Sequence, residues 1–136
     1  MFAIARQALE ELGKVNHVFG KIAVAQPDKF CHAFGIFQYD LQNFRRNPDY
    51  FLQRKWADFP SCLALCVSEL TQAAETLYGK NCPSLDHDES VYCAIAYNTG
   101  KADLNSDFKQ GYKDPDGIYY GEYIDRFLQL AESAAA

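Results

Sequence analysis

SCLALCVSELTQAAETLY, residues 61–78, repeats its apolar side chains at helical spacing. Leu63, Cys66, Val67, Leu70, Ala74 and Leu77 fall on one stripe of a 3.6-residue helix. Ser61 offers a cap at its start, and Gly79 a left-handed stop at its end. An amphipathic helix has to bury its stripe against other elements, so the flanking sequence must supply partners.

Several segments do. Downstream, Asp86 followed by Glu89 is a capping box and predicts a helix over 87–98, with Val91, Ala94 and Ile95 facing inward. Asn98, Thr99 and Gly100 end it. Residues 101–118 are polar and turn-rich, with Asp114-Pro115-Asp116-Gly117 the clearest turn in the chain. A last helix over 120–132 carries Ile124, Phe127, Leu128 and Ala131 on its apolar side. Upstream, Ile4, Ala5, Ala8, Leu9 and Leu12 predict a helix over 2–13 that Gly13 stops. Val15, Val18 and Phe19 read as buried, Ile22 to Val24 as a short strand, and Pro27-Asp28 as a turn. Ile36 and Phe37 read as inward-pointing. A helical turn follows over 41–47, then a helix over 49–58 anchored by Phe51 and Trp56. Asn81 to Leu85 is a connector. The sum is a mainly α, single domain over 1–136, with a small β element near residues 21–40.

Composition narrows the function. Thirteen Lys and Arg against 18 Asp and Glu leave a net charge of −5, which opposes a phosphate-tracking surface and hence nucleic-acid binding. No run of apolar residues is long enough for a membrane span. The first 20 residues lack the basic start, apolar run and cleavage site of a signal peptide. The expectation is a chain that is cytoplasmic as made, exported by another route, or a processed piece. Cys31, Cys62, Cys66, Cys82 and Cys93 are odd in number, and buried free thiols are expected, with a disulfide open in an oxidising compartment. No Cys-x-x-Cys pair exists, and His17, His32 and His87 are scattered, so neither metal nor cofactor is expected.

Two stretches suit carbohydrate chemistry. Cleaving a glycosidic bond takes one carboxylic acid to protonate the leaving oxygen and a second carboxylate to activate water or stabilise the positive ring. The acid works best where burial raises its pKa. In Ala33-Phe34-Gly35-Ile36-Phe37-Gln38-Tyr39-Asp40, Gly35 permits close backbone approach to a sugar, and Gln38 can donate to and accept from hydroxyl or acetamido groups. Asp28 and Asp40 bracket it. In Ala94-Ile95-Ala96-Tyr97-Asn98-Thr99-Gly100, Tyr97 and Asn98 project from a helix end. Structural alternatives are a turn held by Gln38, caps made by Asp28 and Asp40, and an ordinary helix terminus.

The first stretch resembles the Gly-Leu-Met-Gln motif of lytic transglycosylases and goose-type lysozymes, with Phe34 before it, Asp40 closing it, and Ile36 and Phe37 replacing Leu and Met. The second resembles the Ala-Tyr-Asn-Ala-Gly motif of the same families, with Thr99 replacing the middle Ala. The resemblance implies a lysozyme-like fold and cleavage of β-1,4 bonds between N-acetylated amino sugars, in peptidoglycan first and in a chitin-type polymer as the alternative. It assigns Asp28 and Asp40 to water activation or cation stabilisation, and Gly35, Gln38, Tyr97 and Asn98 to substrate binding. The window where those families carry their catalytic glutamate holds Val15 to Lys21 and no Glu. Glu11 is then the candidate acid, ahead of Glu10. The other reading is an inactive lysozyme-like module that binds sugar or protein. Downstream, Lys109, Lys113, Tyr112, Tyr119, Tyr120 and Tyr123 with Phe127 either extend a polymer groove or cover the last helix.

Overall fold

The computed structural model describes residues 1–80, 82 and 84–135. Asn81 and Pro83, from the expected connector, and Ala136 lie outside the described residues. The architecture is mainly helical with one small two-stranded sheet. The chain forms two compact units, residues 1–66 and 67–136, and the division falls inside the long helix read first from the sequence.

The first unit opens with α1 (Phe2–Val15) and α2 (His17–Ala25). Asn16 separates them with an extended backbone, and its side chain accepts from the Val18 amide at 3.0 Å to cap α2. Two expectations fail here. Gly13 does not stop α1, and Ile22 to Val24 are helical. A Cβ on Gly13 would lie 2.9 Å from the Cα of Gly20, so both glycines let the two helix backbones cross closely. Small residues also set the orientation of α2. It meets α1 through Gly20 and the buried Ala23, which turns Val18 and Phe19 to solvent rather than to the core. Arg6 of α1 ties the hairpin shut, donating to the carbonyls of Ala23 (2.6 Å) and Gln26 (3.0 Å) at the end of α2 and of Lys29 (3.0 Å) in the turn beyond it. A cation there also meets the negative end of the helix dipole.

The sheet pairs β1 (Ala33–Phe34) with β2 (Tyr39–Asp40), antiparallel, in the register Phe34 to Tyr39. A 3-10 helix (Leu41–Arg45), α3 (Pro48–Leu52), a 3-10 turn (Lys55–Ala57) and α4 (Phe59–Tyr78) follow. The helix expected over 49–58 is therefore two pieces. Arg54, at φ +54°, breaks it. Phe51 is fully buried at the centre of a cluster of rings: Phe34 edge-on at 5.4 Å, Tyr39 stacked at 5.8 Å, Tyr50 edge-on at 5.3 Å and Phe44 at 5.6 Å. At the start of α4 the cap is Asp58, not Ser61: its carboxylate accepts from the Ser61 amide and hydroxyl at 2.9 and 2.6 Å. Cys62 and Cys66 are the buried residues of α4, while Leu63 and Val67 are exposed.

The second unit holds the rest of α4, α5 (His87–Thr99) and α6 (Tyr120–Ala135). Gly79 closes α4 at φ +88°, as read from the sequence. The capping box of Asp86 and Glu89 is present in both directions, and Gly100 ends α5 in the left-handed conformation. Val91, Cys93 and Ile95 of α5 are buried, and Gly121 of α6 lies against Ile95. The turn at 114–117 closes a short hairpin in which Lys113 bridges Tyr119. Cys31, Cys62, Cys82 and Cys93 are free thiols, and Cys62, Cys66 and Cys93 are buried.

Candidate functional site

In the first unit, Gly35 to Gln38 form the four-residue turn between β1 and β2. Gly35 is required twice over. Its φ is +75°, and a Cβ would lie 2.7 Å from the Tyr50 hydroxyl and 2.8 Å from Cys62 Sγ. Gln38 takes φ +56°, and its side-chain Nε2 donates to the Gly35 carbonyl at 3.0 Å. The Gln therefore fastens its own turn, with its amide oxygen left for another donor. The register puts Phe34 and Tyr39 inside and leaves Ile36 at the tip of the turn, 66% exposed, contrary to the inward orientation read from the sequence. Phe37 is half-buried against the core.

The carboxylates are dispersed over three elements. Asp28 lies in the turn closed by the Lys29 amide on the Gln26 carbonyl, and is exposed. Asp40 ends β2 and caps the following 3-10 helix through the Gln42 amide at 2.7 Å. Glu11 is in the body of α1, which runs on to Val15. No hydrogen bond or ion pair joins the three to one another among the described residues.

Glu11 is the best-defined member. Arg54, between α3 and the following 3-10 turn, holds it as a two-pronged clamp, Nη1 to Oε1 at 3.0 Å and Nη2 to Oε2 at 2.6 Å, and Gln7 adds a bond to Oε1 at 3.1 Å. The guanidinium also stands 4.8 Å over the Trp56 ring. The Arg54 hydrogen bonds hold the Glu11 carboxyl below the usual carboxylate range. Glu10, the other candidate, pairs with Arg6 at 2.9 Å. A general acid at neutral pH needs the opposite environment, one that keeps its proton on. Arg54 is the residue that sequence reasoning missed. It lies 43 positions from Glu11, and no local pattern marks a contact over that separation.

In the second unit, Tyr97 is half-buried and Asn98 exposed in the last turn of α5. Asn98 Oδ1 is 3.6 Å from where a Gly111 Cβ would stand, so the helix end and the 101–111 loop are in contact. Thr99 fixes the chain reversal by donating to the Ile95 carbonyl at 3.0 Å.

Among the described residues no group of three His, Cys, Asp or Glu side chains is arranged to hold a metal ion, and no helix is long and apolar enough to cross a membrane. Comparison with family models, with curated proteins and with solved structures found no match.

Proposed function

We propose that the chain is a lysozyme-like module that binds an N-acetylated amino-sugar polymer of the peptidoglycan type without protonating its glycosidic bonds. The observation that carries the second half is the Arg54 clamp on Glu11, the first candidate acid, whose two oxygens both accept from the guanidinium, while Glu10, the second candidate, pairs with Arg6. The two motif segments support the first half. Each is built as an exposed turn or helix end with amide groups at its surface, which suits hydroxyl and acetamido partners.

A cleaving enzyme is the second reading, favoured by the exposure of the pair. Arg54 is 49% and Glu11 33% exposed, so a bound strand that displaced the guanidinium would return Glu11 to service, with Asp40 and Asp28 orienting water. Incubation with purified peptidoglycan, followed by sedimentation and mass analysis of the soluble fraction, separates the readings. Co-sedimentation without soluble fragments is expected. Reducing-end fragments establish hydrolysis, anhydro-ended fragments transglycosylation, and failure to co-sediment removes the polymer as ligand.

A further inference from the structure

α2 turns its small residues inward and its bulky ones outward. It packs on α1 through Gly20 and the buried Ala23, and it shows Val18, Lys21 and Val24 to solvent. These three are spaced three apart, so they share one helix face, and the exposed Ala25 widens it. Val15, at the corner into α2, is 84% exposed, and Val24 is 87%. Single exposed apolar residues are ordinary. A short helix with glycine and alanine inside and valines outside presents a face that lacks its partner.

We infer that this face docks on an anionic lipid surface, lying on it rather than crossing it. The inference is independent of the sugar-polymer reading. Charge names the occupant. Residues 12–27 are the longest stretch of the chain without Asp or Glu, in a protein that has 18 of them. Within that stretch Lys14 and Lys21 are exposed and have no ion-pair partner among the described residues. The acid that precedes it, Glu11, has both oxygens taken by Arg54. The first unit holds eight Lys and Arg against six Asp and Glu, so the acidic excess of the chain lies in the second unit.

Shape then selects lipid over protein. Valines this exposed form a ridge without walls, which gives a protein partner little to enclose but sinks readily into a fluid interface. A second copy related by a two-fold axis would set the cationic face against itself. An anionic bilayer supplies both halves of the match, headgroup charge for the lysines and acyl surface for the valines.

The test is sedimentation of the full chain with vesicles of phosphatidylcholine and phosphatidylglycerol, and with vesicles of phosphatidylcholine alone, at low and at physiological salt. Binding to the anionic vesicles alone is expected, weakening as salt rises. Lys14→Gln and Lys21→Gln should each weaken it about five-fold, the worth of one cation at such a surface. Val18→Ser combined with Val24→Ser should weaken it at least about ten-fold, with an unchanged circular dichroism spectrum because both positions are exposed. Should the double variant fail to fold, the lysine variants carry the test. Equal binding to neutral vesicles, anionic binding that these changes leave intact, or no binding to either vesicle overturns the inference. So does displacement by free glycerol phosphate at matched ionic strength, which would reduce the face to an anion site. Analytical ultracentrifugation of the chain alone reads the competing occupant: self-association abolished by the valine changes would give the face to a second copy and overturn the lipid assignment.

Discussion

Arg54 combines a left-handed backbone, unusual for a residue with a side chain, with a guanidinium spent on both Glu11 oxygens and set over Trp56. The backbone conformation splits the 49–58 segment, and the side chain fixes the charge state of Glu11. Arg54→Met should therefore raise the Glu11 pKa toward its ordinary value, read by carbonyl carbon NMR across an acid titration. The sign for stability follows. The folded pKa of Glu11 lies below the unfolded value of 4.5, so the pair contributes fully above that value and is lost as pH falls through the folded one. Acid unfolding of Arg54→Met should lose that part of its pH dependence, and an unchanged Glu11 titration would refute the clamp. For Gly35, Gln38 and Asp40 the turn and the cap that the sequence offered as structural alternatives were legible from spacing because those roles are local. A turn glycine, a side chain reaching three residues back and an N-cap all act within a few positions. The Glu11–Arg54 contact joins two elements, and neither end carries a signal of the other.

Among the elements, α6 docks on α5 through a glycine. A Cβ at Gly121 would lie 2.3 Å from the Phe108 carbonyl oxygen and 2.7 Å from Ile95 Cδ1. Replacing a helical glycine by alanine ordinarily gains about 1 kcal/mol. Here a backbone oxygen is in the way and cannot rotate aside, so overpacking of about 1–3 kcal/mol wins. Gly121→Ala should lower the denaturation midpoint. The other tie is His87, whose Nε2 meets Asp125 Oδ1 at 2.7 Å and Nδ1 meets Glu132 Oε1 at 3.0 Å. The Asp125 hydrogen bond first, then that of Glu132, raises its pKa from 6.5 to about 9. Its neighbours in sequence are the N-cap Asp86 and, in the first turn of α5, Asp88 and Glu89. Because the folded value is above the unfolded one, the contribution is complete below about pH 6.5 and vanishes as pH rises through about 9. Thermal midpoints of wild type and His87→Gln should converge over that interval, and a constant gap would contradict the assignment. Helices of the second unit were readable because capping box, glycine stop and turn residues are sequential signals. Gly13 was misread because a glycine that ends a helix and one that lets another helix approach look alike until the partner, Gly20, is known. Ile22 to Val24 were misread because three β-branched or small residues carry no period long enough to distinguish strand from helix.

For the molecule as a whole, charge decides how a polymer is approached. The net charge is −5, and peptidoglycan also carries negative groups, so the long-range field repels such a strand. On the proposed polymer-binding reading, attraction comes from short-range contacts, hydrogen bonds and ring faces, which salt scarcely touches. At low ionic strength the repulsion extends over tens of ångströms, and at about 0.1 M it is screened beyond roughly 10 Å. Binding to peptidoglycan should consequently strengthen, or stay level, as salt rises from about 0.01 M to about 0.15 M. A basic wall-binding surface would show the reverse. Co-sedimentation across that salt range reads the difference, with an uncharged chitin-type polymer as the reference whose retention should not change. Retention that falls steeply with salt would mean that cations of this chain meet the polymer's acidic groups, and would turn the search for the ligand from the sugar ring to its acidic substituents.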